Sequence, residues 1–144
     1  MDEESSRPSV IDRIILKSDG PSPKSLLVML PGRGMSIEEM VWIGRSFMFD
    51  DMMIVGVVPA MGSYYPPPHS PADQDEALAG IGPATDEIGR AVASIVAGFG
   101  VPWERTAAFG FSAGGVMSYQ LARAVPIRST FVVAGAILDP SDFG

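Results

Sequence analysis

The chain contains no cysteine and a single histidine, His69. The first absence rules out disulfides, a thiolate nucleophile and a cysteine-ligated metal. Together the two leave too few ligands for a structural zinc site. Neither a metal nor any other cofactor is expected. No apolar run approaches the ~20 residues that a membrane helix requires, so membrane insertion is not expected either. Positive charge is scarce: 10 Lys and Arg stand against 17 Asp and Glu, for a net charge of -7. That balance is a poor match to a phosphate backbone or an anionic lipid surface. Nucleic acid is therefore not an expected partner. Met1 to Ser9 is acidic and polar, without the apolar stretch of a secretory leader. A disordered tail over residues 1–9 and a cytoplasmic location are the expectations.

What is present suits one compact domain. The 144 residues are 47% hydrophobic, enough for a real core. Val10 to Leu16 and Leu26 to Leu30 read as strands. Between them Ser18 to Lys24 is dense in turn formers, so the two strands are expected to pair as an antiparallel hairpin. Pro31-Gly32-Arg33-Gly34 breaks the pattern. Ser36 then opens a helix, with Glu39 at capping-box spacing and Ile37, Met40, Val41, Phe47 and Met48 at helical intervals. Met52 to Val58 is a third strand. Pro59 to Gln74 reads as a long loop carrying Tyr64, Tyr65 and His69, and loops of that length are often functional. A helix is expected from about Pro83 to Ala97, with Ile88, Val92, Ile95, Val96 and Phe99 marking its buried stripe. Asp73, Asp75 and Glu76 read as its solvated approach. Thr106 to Phe111 and Thr130 to Leu138 are further strands, flanking a helix that covers Val116 to Ala124 and stops before Pro126. Strands alternating with helices imply a three-layer α/β sandwich, with a mostly parallel sheet of about five strands and helices on both faces. Near-continuous apolar strands agree, because such strands are buried on both sides.

The chemistry concentrates at Gly110-Phe111-Ser112-Ala113-Gly114. This is G-x-S-x-G between an apolar strand and a helix, the setting in which a serine sits exposed on a sharp strand-to-helix turn. Gly110 and Gly114 supply the small neighbours that such a turn needs. A serine hydroxyl is a weak nucleophile at neutral pH and requires a base. The other reading is a glycine-rich turn serving packing or phosphate binding. A dinucleotide fingerprint would place glycine where Ser112 stands.

These residues resemble the α/β-hydrolase superfamily, and within it the phospholipase/carboxylesterase family, which includes acyl-protein thioesterase-like enzymes. Four segments carry the resemblance, which spans about Leu26 to Leu138. Leu30-Pro31-Gly32-Arg33-Gly34 is similar to the family's Leu-His-Gly-x-Gly. Ser63-Tyr64-Tyr65-Pro66 resembles its Ser-Trp-Tyr-Pro. Val101 to Arg105 resembles the link before the nucleophile strand, and Gly110 to Gly115 matches the nucleophile elbow. The resemblance implies a serine hydrolase of small-molecule carboxylic esters or thioesters that works through an acyl-serine intermediate. Ser112 would be the nucleophile. The backbone N–H groups of Arg33 and Ala113 would form the oxyanion hole, and Gly32, Gly34, Met35, Tyr64 and Tyr65 would face substrate. Tyr64 and Tyr65 otherwise pack their loop.

Two departures stand out. Pro31 replaces the usual histidine, which need not matter to a hole built from backbone amides. The family's acid and histidine follow later strands, and neither is found before Gly144. Asp139 and Asp142 come too early to be the acid. His69, before Ser112 and among prolines, reads as a surface or pocket-rim residue. The expectation is a single incomplete α/β-hydrolase domain over residues 10–144, lacking its C-terminal strands and inactive alone. It is expected to be either a fragment or a chain whose open edge at Thr130 to Leu138 is completed by a partner, a second copy in a homo-oligomer being one such partner. The alternative function is a non-catalytic acyl-binding or protein-interaction module on the same scaffold.

Overall fold

A computed structural model describes residues 8–18, 20–32, 34–46, 51–65 and 74–133. Five strands form one sheet: β1 (Ile11–Ser18), β2 (Ser25–Leu30), β3 (Met52–Pro59), β4 (Thr106–Phe111) and β5 (Ser129–Val133). Among the described residues three α-helices connect them: α1 (Ile37–Arg45), α2 (Gln74–Phe99) and α3 (Ala113–Ala124). The strand order is β1-β3-β2-β4-β5. All neighbours run parallel except β1, which is antiparallel to β3.

The sheet divides the core in two. Because successive strand side chains point to opposite faces, Val28 and Leu30 of β2 meet one cluster while Leu27 and Met29 meet the other. The first cluster packs Val28, Leu30, Val55 and Val57 against Ile88 and Val92 of α2 and Met117 and Leu121 of α3. The second packs Leu27, Met29, Ile54 and Phe109 against Ile37 and Met40 of α1. The result is the expected three-layer arrangement, α1 on one face and α2 with α3 on the other. β2 lies at its centre, buried along its whole length. Ser36 caps α1 as expected, its hydroxyl accepting from the Glu39 N–H at 3.1 Å.

Several expectations need correction. β1 and β2 are not a hairpin. Both edges of β2 are taken by parallel partners, so β1 pairs instead with β3, from Ile11 opposite Pro59 to Ser18 opposite Met53. Its exposed Asp12, Arg13 and Lys17 suit that outer position. The helix expected from Pro83 begins at Gln74, and Phe99, expected in its buried stripe, is 40% exposed at its last position. Pro83 cannot donate to the Ala79 carbonyl, yet the apolar stripe runs through the break from Leu78 and Ile81 to Ala84 and Ile88, and burial of that stripe carries the helix past the proline. Phe47 and Met48, expected in α1, lie outside the described residues, as do residues 134–138 of the last expected strand. Of the expected tail, residues 1–7 also lie outside. Ser9 is tied to α2: its hydroxyl bonds the Glu87 carboxylate, which also accepts the Val10 N–H at 3.0 Å.

Candidate active site

β4 ends and α3 begins with a single residue between them, Ser112. Its backbone has φ 52° and ψ −116°. Side-chain-bearing residues rarely adopt such a conformation. It costs on the order of 1–3 kcal/mol and persists only where the surroundings enforce it. Here three contacts do so. The Ser112 N–H donates to the Val133 carbonyl at 2.9 Å, and the Ser112 carbonyl accepts from the Val116 N–H at 3.1 Å. The third is steric: a Cβ built on Gly32 would lie 2.8 Å from the Phe111 carbonyl oxygen and 3.1 Å from Ser112 Cβ. The loop leaving β2 therefore presses on the serine.

The two motif glycines show why nothing larger fits. A Cβ on Gly114 would sit 1.9 Å from the Leu30 carbonyl oxygen, and one on Gly110 would sit 2.1 Å from the Gly114 oxygen. Strand, turn and helix touch backbone to backbone.

Ser112 is exposed. Serine at a helix N-cap ordinarily accepts from an amide of the first turn, but this side chain makes no such bond. The N–H groups of Ala113, Gly114 and Gly115 precede the first intrahelical donor, Val116, and so have no acceptor within the helix. They lie next to Ser112, at the positive end of the helix.

The location in the sheet is equally specific. Leu30 and Gly110 are paired at the carboxyl ends of adjacent strands. From β2 the chain leaves to α1 on one face, and from β4 to α3 on the other. Such a switch point opens a crevice at the strand ends, where ligands bind in open α/β sheets.

Gly34 lies beside this crevice with φ 79°, a conformation that suits glycine. The Met35 N–H closes a turn onto the Gly32 carbonyl at 3.1 Å, and the Met35 side chain packs toward the α1 cluster. Ala113 is partly buried. Arg33, His69, Asp139 and Asp142 lie outside the described residues. Tyr64 is 1% exposed and Tyr65 8% exposed, both in the core cluster under α2. The Tyr64 hydroxyl donates to the Val57 carbonyl at 2.5 Å, and this buried acceptor draws the phenol inward. Tyr64 borders a separate cavity of about 560 Å³ beneath α2, with Val10, Pro83, Glu87 and Arg90. Sequence reasoning missed the Val133 carbonyl, because no residue pattern reports a backbone acceptor.

Burial pushes the ionisation of Tyr64 well above its ordinary value. An unfolded tyrosine ionises near pH ~10. Above that pH the unfolded chain binds fewer protons than the folded one, so stability falls as pH rises, by up to about 1.4 kcal/mol per unit from this group. Tyr64→Phe is expected to remove that slope. Urea midpoints of both proteins at about pH 9 and about pH 11 check it.

Three solved structures share this architecture. A phospholipase/carboxylesterase from Dyadobacter fermentans DSM 18053 superposes with a TM-score of 0.67 at 22% identity, covering 92% of this chain and 66% of its own. Esterase PE8 gives 0.72 at 24% identity, covering 87% and 67%. YahD with malic acid gives 0.69 at 15%, covering 88% and 65%. The chain has the α/β-hydrolase fold. It spans about two thirds of the length of these α/β-hydrolase structures. No protein-family profile and no curated protein sequence matches it. Within the α/β-hydrolase fold the crevice at Ser112 is the candidate site. Among the described residues no cluster of His, Asp or Glu is arranged to hold a metal. No described helix is long and apolar enough to cross a membrane.

Proposed function

We propose that this chain carries the nucleophile half of a serine hydrolase acting on carboxylic esters or thioesters of small molecules. The observation that supports it most is the exposed Ser112 hydroxyl, unspent on its own helix, at a strained turn between Gly32 and the first amides of α3. The Ser112 oxygen attacks the acyl carbon as its proton passes to a base. The carbonyl oxygen becomes an oxyanion and is received by the Ala113 N–H and, from the loop after β2, the Arg33 N–H. One such donor is worth ~3 kcal/mol in the transition state. Collapse breaks the bond to the alcohol or thiol, which leaves with the proton, and water then attacks the acyl-serine by the same route. Gly32, Gly34 and Met35 border the acyl group.

The test is prolonged incubation with a fluorophosphonate at alkaline pH, where hydroxide substitutes for a base, followed by peptide mass mapping. The expected result is one adduct, on Ser112, formed over hours. It is absent from Ser112→Ala and from the urea-unfolded chain. A folded chain that acquires no adduct would overturn the reading.

A second reading draws on β5, where Phe131 is 52%, Val132 44% and Val133 39% exposed. In it the scaffold binds acyl groups or proteins without turnover, and β5 recruits a partner strand, a second copy being the simplest. A stable oligomer in size-exclusion chromatography, with Ser112 unlabelled, favours it.

A further inference from the structure

β5 holds the turn at Ser112 through one backbone bond, yet little apolar burial holds β5. Of its five residues only Thr130 is half-buried; Ser129, Phe131, Val132 and Val133 are exposed. β4 lies on one side, and no described strand lies on the other. Ladder bonds at a sheet edge open readily when few buried contacts back them. Opening at this edge withdraws the Val133 carbonyl from the Ser112 N–H.

Two side-chain ties oppose that opening: the Phe131 ring packs against Phe109 of β4, centroids 6.1 Å apart, and a hydroxyl pair joins β5 to α3. The Thr130 hydroxyl donates to Ser118 Oγ at 2.8 Å. The Ser118 hydroxyl in turn donates to the Gly115 carbonyl at 3.2 Å. Ser118 is fully buried, one turn into α3. Gly115 belongs to the first turn of α3. The relay thus runs from the edge strand, through a buried hydroxyl, into the helix start that adjoins Ser112.

We propose that Thr130 and Ser118 are positioning residues, a hydroxyl pin that keeps β5 closed against β4 and thereby holds the Ser112 turn in its strained conformation. The pin stands on the geometry alone. Its consequence for acyl transfer rests on the reading of Ser112 as nucleophile.

Amide hydrogen exchange on the whole chain tests the pin without needing turnover. Thr130→Val keeps the side-chain shape and removes the donor, and Ser118→Ala removes the acceptor while leaving β5 untouched. In both, exchange of the Ser112 amide is expected to speed up about tenfold, as for the loss of one neutral hydrogen bond. Thr130→Ser, which restores the hydroxyl, should return near wild type. Amides of β2 and α1 should not change. Unchanged Ser112 exchange in both folded variants overturns the proposal, and so does an equal loss of protection across the whole sheet. If Thr130→Val does not fold, Ser118→Ala carries the same comparison. Failure of the nucleophile reading shows separately, as a wild-type chain that takes no fluorophosphonate adduct.

Discussion

On the proposed function, the purified 144-residue chain is expected to hydrolyse a short-chain nitrophenyl ester about 10⁶-fold more slowly than a serine hydrolase with all three partners in place. The deficit follows from proton transfer. Ser112 is exposed and adjoins the first amides of α3, but attack requires a base at the moment of bond formation. The sequence holds one imidazole, His69. Hydrolases of this fold order their residues serine, acid, histidine along the chain, and His69 precedes Ser112. Members of such a set act as a unit, so the loss of one costs nearly as much as the loss of all. What remains is the oxyanion-type stabilisation and binding, worth roughly 10³–10⁴ over water. Progress curves for wild type, Ser112→Ala and His69→Ala decide it. The His69 variant should match wild type. Fast turnover that disappears in Ser112→Ala would show that a base is already in place.

Gly114→Ala is expected to lower stability by more than about 4 kcal/mol, enough to unfold a domain of ordinary stability. The added methyl would meet the Leu30 carbonyl oxygen at 1.9 Å, the Leu30 carbonyl carbon at 2.5 Å and the Pro31 oxygen at 2.7 Å. These are backbone atoms, two of them in the central strand, so no rotamer change relieves the clash. Relief requires α3 to lift from the sheet, which opens the cluster around Met117 and Leu121. Gly98→Ala is the matched control. Its Cβ meets nothing within 4 Å, near the end of α2. There alanine stabilises by up to about 1 kcal/mol through helix propensity. Urea titrations of the two variants should therefore differ in sign as well as size. Equal midpoints would mean that strand and helix are not in backbone contact at Gly114.

Gly110 to Gly114 was legible because its chemistry is local. An apolar strand, a lone serine between small residues and a helical stripe suffice to place a sharp turn, and Ser112 stands between Phe111 of β4 and Ala113 of α3. The Ser36 cap was legible for the same reason. Strand partnership was not. The turn formers from Ser18 to Lys24 report that the chain reverses, but not which strand it joins. That depends on Thr106 to Phe111 occupying the second edge of β2. Pro83 misled because proline favours a first helical turn, whereas here tertiary burial of Leu78 and Ile81 outweighs the lost hydrogen bond. Tyr64 was ambiguous because a Ser-Tyr-Tyr-Pro segment reads the same whether its ring lines a pocket or its hydroxyl meets the Val57 carbonyl. The approach of Gly32 to Ser112 joins residues far apart in sequence, and the four-segment resemblance was the one clue to it.

The order β1-β3-β2-β4-β5 also constrains how the molecule comes into being. No two strands can zip together as a neighbouring hairpin, so every ladder must close a long loop before it gains a bond. Leu26 to Leu30 leaves the ribosome early, yet its partners Met52 to Gly56 and Thr106 to Gly110 follow much later. Through that interval the most apolar strand of the protein is bare, and the nascent chain is at its most aggregation-prone.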